Sequence, residues 1–120
     1  MSKALIIDDE IDICYLLSSI IRSKNLQASY VNSLSEAVDV LEKLKPEIIF
    51  LDNHLPDGLG VDFIKQIKNF YPSVKIVMIT AFDNFSERAK AFSNGADVFI
   101  TKPFTKEIIY QTVDELLPVS

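Results

Sequence analysis

Four short apolar runs each end on a residue that can do chemistry. ALII runs into Asp8-Asp9, EIIFL into Asp52, KIVMI into Thr80 and DVFIT into Lys102. If the runs are parallel strands, these five side chains emerge along one edge of one sheet, where open α/β sheets carry their sites. Three carboxylates on one rim cannot all stay ionised unless a cation neutralises them. The set suits a hard divalent metal, a carboxylate that attacks or ligates, and an ammonium and a hydroxyl that meet an anion.

The loop after the first run sharpens this. In parallel α/β folds it usually carries glycines, whose amides cradle a phosphate already present on a nucleotide. Here it reads DDEID, and its acids repel a phosphate and attract a cation. With Asp52 added, the oxygens suit Mg²⁺, which takes one or two carboxylates and completes its octahedron with water and substrate oxygens. The dipole of a helix also favours acids in its first turn; that accounts for Asp8, Asp9 and Glu10 but not for Asp52 and Lys102. Asp52 has two possible jobs, metal ligand or nucleophile. As a nucleophile it would take a phosphoryl group as an aspartyl phosphate. Lys102 could then pair with one phosphoryl oxygen and the Thr80 hydroxyl donate to another, and such positioning is most of what phosphoryl transfer asks of a protein. Lys102-Pro103 begins the last loop, where a cis bond would aim the lysine into the cleft; about one X–Pro bond in twenty is cis.

Two periods alternate along the chain and position these residues. β-rich runs lie near 4–7, 27–31, 47–51, 74–79 and 97–101. Between them, Ile13, Leu16, Leu17, Ile20 and Ile21 recur at helical spacing, as do Ala37, Val40, Leu41 and Leu44, then Val61, Ile64 and Ile67. Ser33 or Ser35 is a candidate N-cap for the second helix, and Asp83 for a fourth that stops at Asn94-Gly95. A fifth helix spans Thr105 to about Leu117, ended by Pro118. Five βα units imply right-handed crossovers and a doubly wound, five-stranded parallel sheet of α/β class, flavodoxin-like (βα)5, in the order 2-1-3-4-5.

At 120 residues the chain is expected to be one domain, 1–120, long enough for one core. A net charge of −5 without any basic run argues against direct nucleic-acid contact and against an anionic membrane surface. No stretch approaches the roughly 18 apolar residues of a membrane span, and the opening MSKALIIDDE is not a signal peptide. The single Cys14, inside a helical pattern, reads as a buried thiol of a reducing compartment. These features together predict a cytoplasmic domain.

The segments IIDDE, FLDNHLPDGLG, MITA and GADVFITKPF resemble the receiver domain of two-component response regulators, and the likeness runs from about residue 3 to 117. The resemblance implies that Asp52 is the phosphoacceptor. It implies Mg²⁺ held directly by Asp9 and Asp52, with Asp8 acting largely through water and the backbone carbonyl of His54 as a further ligand. Thr80, with Ala81 beside it, and Lys102 would hold the phosphoryl group, Lys102-Pro103 would be cis, and Phe99 would be the aromatic switch. The donor would be a histidine kinase or a phosphotransfer protein. Such a domain is a phosphoacceptor switch that assists its own phosphorylation and dephosphorylation, not an enzyme acting on other substrates.

Asn53 departs from the family pattern, which is generally aliphatic there, and needs hydrogen-bond partners if buried. Leu55 replaces a common Met, and Phe99 lacks the hydroxyl of a tyrosine. The His54 imidazole reads as a pocket wall, because oxygens suit Mg²⁺ better. Three rival readings fit less well. A haloacid-dehalogenase-like phosphatase places its nucleophile on the first strand and its acid pair late, the reverse of the order here. A flavodoxin-like nucleotide binder is disfavoured by the acidic first loop, and a docking module never phosphorylated would not need the full acceptor set.

Partners are expected on the face made by the fourth helix, fifth strand and fifth helix, either a downstream target or a second copy of the domain. Phe82 and Phe85 fall next to Thr80 and are expected to be exposed there, while Phe92, two turns on, is expected in the core.

Overall fold

The computed structural model describes residues 1–118. Strands β1 (Lys3–Ile7), β2 (Gln27–Val31), β3 (Ile48–Leu51), β4 (Lys75–Thr80) and β5 (Val98–Thr101) alternate with helices α1 (Ile11–Arg22), α2 (Leu34–Leu44), α3 (Gly60–Phe70), α4 (Phe85–Asn94) and α5 (Lys106–Leu116). All four strand pairings are parallel and the order is β2-β1-β3-β4-β5, as the alternation of periods predicts. A two-residue hairpin, His54–Leu55 against Gly58–Leu59, interrupts the loop between β3 and α3.

Strand alternation divides the core in two. Ala4, Ile6, Ile48, Phe50, Val77, Ile79 and Ile100 pack under α1 and α5. Leu5, Ile7, Ile49, Leu51, Ile76, Met78 and Phe99 pack under α2, α3 and α4. Both faces of the central strands are buried, which explains why their sequences are apolar throughout. The same alternation, continued past the strand ends, aims Asp8, Asp52 and Lys102 toward the α1–α5 face, and it puts Thr80 on the α4 face with Phe99.

The ends of the helices settle one local expectation and correct another. Ser33 caps α2, its Oγ accepting from the Glu36 N–H at 3.2 Å, so Ser35 is not the cap. Asn84, not Asp83, caps α4: its Oδ1 accepts from the Glu87 N–H at 2.7 Å, while Asp83 is taken up by Arg88 at 3.1 Å. Gly95 ends α4 at φ +119°, a conformation that suits glycine. On α1, Leu16 is 51% exposed instead of facing the sheet; Cys14 and Ser18 are buried. Among the described residues, no helix is long and apolar enough to cross a membrane.

Candidate functional site

Strand register brings the acids together. Ile7 lies opposite Leu51, so Asp8 and Asp52 follow side by side at the ends of adjacent strands, and the Asp52 N–H donates to the Ile7 carbonyl at 2.8 Å. On the other side Thr80 pairs with Thr101, and the Lys102 N–H donates to the Thr80 carbonyl at 2.8 Å. Lys102 thus leaves the sheet at the same edge. Its Nζ lies 2.9 Å from Asp8 Oδ2, 2.9 Å from Glu10 Oε1 and 3.7 Å from Asp52 Oδ1. The Lys102–Pro103 peptide bond is cis.

Asp8, Asp52 and Thr80 are buried, while Asp9 and Glu10 are exposed at the mouth. Burial, reinforced by the neighbouring Asp8 charge, raises the Asp52 carboxyl to about 6, against the pull of Lys102 and the Asn53 N–H. Burial also raises Asp8, although the Glu10 N–H and Lys102 oppose it. For Lys102, burial works to lower its pKa, but the hydrogen bonds to Glu10 and Asp8 and the Asp52 charge outweigh it and the net shift is upward. The lysine therefore stays an ammonium, the counter-ion of a crowded carboxylate set.

Asp8, Asp9, Glu10 and Asp52 each offer a carboxylate oxygen, all within 4.8 Å of one another. An all-oxygen set of this charge fits a hard divalent cation such as Mg²⁺. Glu10 belongs to this cluster and pairs with Lys102. Sequence reasoning counted it among the loop acids without giving it a role.

The backbone around Asp52 is fixed by close approach. A Cβ on Gly60 would sit 2.2 Å from the Asp52 carbonyl oxygen, so only glycine lets α3 begin there. Leu59 gives α3 no side-chain cap. Asn53 supplies the missing acceptors from across the loop: its Oδ1 takes the Val61 N–H at 2.9 Å and its carbonyl takes the Gly60 N–H at 2.7 Å. Asn53 also donates its own N–H to Asp52 Oδ1 at 2.9 Å. Of these, the bond from the Val61 N–H is the one that an aliphatic residue at this position could not make, and it partners the oxygen of the buried amide.

Sequence reasoning overlooked two more residues. Asn32, at the end of β2, donates through Nδ2 to the Asp8 carbonyl at 2.8 Å; the strand-end rule that found the other four positions points to it as well. Asp57 accepts from the Leu34 and Ser35 N–H groups, both at 2.9 Å, and these bonds hold its carboxyl below the usual range while tying the β3–α3 loop to α2. The fold's bare sequence offers no signal for that contact, because it joins residues 22 and 23 apart through helix placement alone.

On the far side of the pocket, Thr80 Oγ1 accepts from the Phe82 N–H at 3.3 Å. Ala81 is exposed beside it. The His54 ring lies against Phe82 with centroids 4.4 Å apart and planes tilted by 52°, and it faces Glu87, so its imidazole is a wall of the site. Phe99 is buried with the Arg88 guanidinium 4.6 Å over its ring; the ring already lies inward in this structure. Phe82 is 56% exposed and Phe85 87%, and Phe92, expected in the core, is 44% exposed. The helix turns Ala91 to the sheet instead, one position away.

Comparison with known proteins fits this geometry. The family described as the response regulator receiver domain matches residues 4–114. Response regulator protein PilR of Pseudomonas aeruginosa is 35% identical over 101 residues, 84% of this chain and 23% of that protein. The phosphate regulon transcriptional regulatory protein PhoB of Escherichia coli is 32% identical over 110 residues, 89% of this chain and 48% of that protein. The chain thus spans half or less of the length of these relatives. Among solved structures, the beryllofluoride-activated NtrC4 receiver domain dimer is similar at a TM-score of 0.92 and 33% identity, covering 97% of this chain and 96% of that one.

Proposed function

Because this chain belongs to the response regulator receiver domain family, we propose that residues 1–120 act as one phosphorylation-activated switch whose acceptor is Asp52. The observation that carries the assignment is the company Asp52 keeps: a buried carboxylate beside Asp8, 3.7 Å from a lysine ammonium, at the acidic edge of the sheet. With its carboxyl near 6, Asp52 is mostly ionised and nucleophilic at neutral pH. One Asp52 oxygen forms the new bond to phosphorus as the bond to the donor's leaving group breaks. The donor is a histidine kinase or a phosphotransfer protein.

Lys102 turns its ammonium to a phosphoryl oxygen, and the Thr80 hydroxyl, next to Ala81, donates to another. Asp9, Asp52 and the His54 carbonyl would hold Mg²⁺ directly, with Asp8 acting through water. The cation, when bound, supplies charge neutralisation at the phosphoryl oxygens. Movement of Thr80 is passed to Phe99, which shares its sheet face, and so to the surface of α4, β5 and α5. A downstream target or a second copy of the domain docks there over Phe82 and Phe85; the dimer formed by the NtrC4 receiver domain supports the second copy.

The test is incubation with acetyl phosphate and Mg²⁺, read by intact mass. One phosphoryl group should be gained by the parent protein and none by Asp52→Asn, with the fold retained because the amide is nearly isosteric. Undiminished labelling of that variant, or steady turnover of an added phosphomonoester, would sink the assignment.

A further inference from the structure

Glu10 stands at the N-cap of α1, where a short oxygen-bearing side chain ordinarily accepts from the first free N–H groups of a helix. Its carboxylate makes no such bond. It reaches across the pocket mouth instead, Oε1 2.9 Å from Nζ of Lys102, 92 residues further along the chain. The other partners of that ammonium, Asp8 and Asp52, have side chains only 3% and 6% exposed, whereas that of Glu10 is 59% exposed. Lys102 therefore bridges the floor of the pocket to its rim, and Glu10 is its contact on the solvent side.

An ammonium has three N–H donors, and here three carboxylates surround it. A phosphoryl group on Asp52 adds strong acceptor oxygens and further negative charge, so one present partner has to yield. Asp8 is fixed in place: its Oδ1 accepts from the Glu10 N–H at 2.9 Å, and its carbonyl accepts from Asn32 at 2.8 Å. Glu10, exposed on its flexible stem, can swing into water at little cost.

Taking Asp52 as the acceptor, we propose that Glu10 is a positioning residue of the transfer: it holds Lys102 at the rim of the resting site and competes with an anionic donor for it. Glu10 thereby sets how readily the site takes a phosphoryl group. It acts through Lys102 and touches neither the attacking oxygen nor the phosphorus.

The experiment compares the parent, Glu10→Gln and Glu10→Asp at saturating Mg²⁺. It reads initial labelling rates against acetyl phosphate concentration, and separately the ¹⁵Nζ resonance of Lys102 without donor. Gln keeps the size and removes the charge. Its labelling rate at low donor should rise about two- to fivefold, the scale of a partly exposed ion pair. The final stoichiometry should stay at one and the Lys102 resonance should shift. Asp keeps the charge on a stem one methylene shorter and should fall between the two. A labelling rate in Glu10→Gln equal to or below that of the parent, or an unmoved Lys102 resonance, would overturn the role of Glu10 while Asp52 still labels. A parent that takes no label, or Asp52→Asn that labels normally, would instead overturn the acceptor reading, and this proposal with it.

Discussion

On one side of the acid pocket α1 buries Cys14, Leu17, Ser18, Ile20 and Ile21 against the sheet; on the other, α4 buries Ala91 alone. A fully buried large apolar side chain contributes about 1.5–3 kcal/mol, so α1 is anchored by several such terms and α4 by almost none. The ends of helix α4 are fixed by the Asn84 cap and the Gly95 stop. Its ties to neighbours are polar or peripheral: Asn94 Nδ2 donates to the Val61 carbonyl at 2.9 Å, Lys90 pairs with Asp62 at 2.8 Å, and Arg88 lies over Phe99. An exposed ion pair of that kind contributes little. The contrast separates a rigid side that holds the acids from a loosely docked side that can shift as a preformed helix. A switch needs both, since elements that move are drawn from the weakly packed end of a structure.

The largest expected effect tests that contrast directly. Leu17→Ala, on the buried face of α1 and almost wholly inaccessible, should cost about 2–5 kcal/mol of unfolding free energy. Phe92→Ala on α4 should cost under about 1 kcal/mol. Denaturant titration of the two variants measures both, and equal losses would erase the distinction between the sides.

Next in size is the electrostatic strain of the rigid side. The Asp52 carboxyl is raised from 3.8 to about 6, so between those values the folded protein keeps a proton that the unfolded chain has released. Metal-free stability should therefore fall as pH rises through that window. Asp52→Asn removes this loss and should exceed the parent by about 1–3 kcal/mol at pH 7, with the gain fading toward pH 4. Unfolding in chelator at the two pH values checks it; a variant less stable than the parent at pH 7 would contradict it.

The mobile side should show its role in association and lifetime, not in stability. Phe85→Ala is expected to weaken phosphorylation-dependent association about tenfold, the scale of an exposed aromatic anchor, while Asp52 labelling stays intact. Sedimentation of phosphorylated parent and variant measures it. Phe82, its ring tilted against that of His54 at the pocket wall, is expected to screen Asp52 from water, and Phe82→Ala should speed loss of the phosphoryl group a few-fold, or about 1 kcal/mol of barrier. Decay of the labelled mass over time reads this directly; a rate equal to the parent's would leave Phe82 without that task.

Much of this molecule is legible in its sequence. Apolar runs of strand length alternating with helical periods point to a parallel sheet, because right-handed crossovers cover both of its faces; its order follows a common doubly wound pattern and is not fixed by the alternation. The strand-end residues Asp8, Asp52, Thr80 and Lys102 were legible for the same reason: in such a sheet, all strands finish at one edge. Side-chain choices at chain reversals were less so. Asp83 and Asn84 are both good caps, and local sequence does not say which one starts the helix. Phe92 and Ala91 are adjacent on α4, and a shift of one residue rotates a helix by about 100°, so the weak apolar pattern left open which faces the sheet.

What the sequence determined by itself is whatever repeats along the chain, namely periodicity, the sites of strand ends and the charge type of the pocket. Tertiary structure alone decided the contacts between residues far apart in sequence: Glu10 with Lys102, Asn53 with the start of α3, Asp57 with the start of α2. The reason is geometric. A hydrogen bond is decided within tenths of an ångström, and that precision exists only once helices and strands have packed.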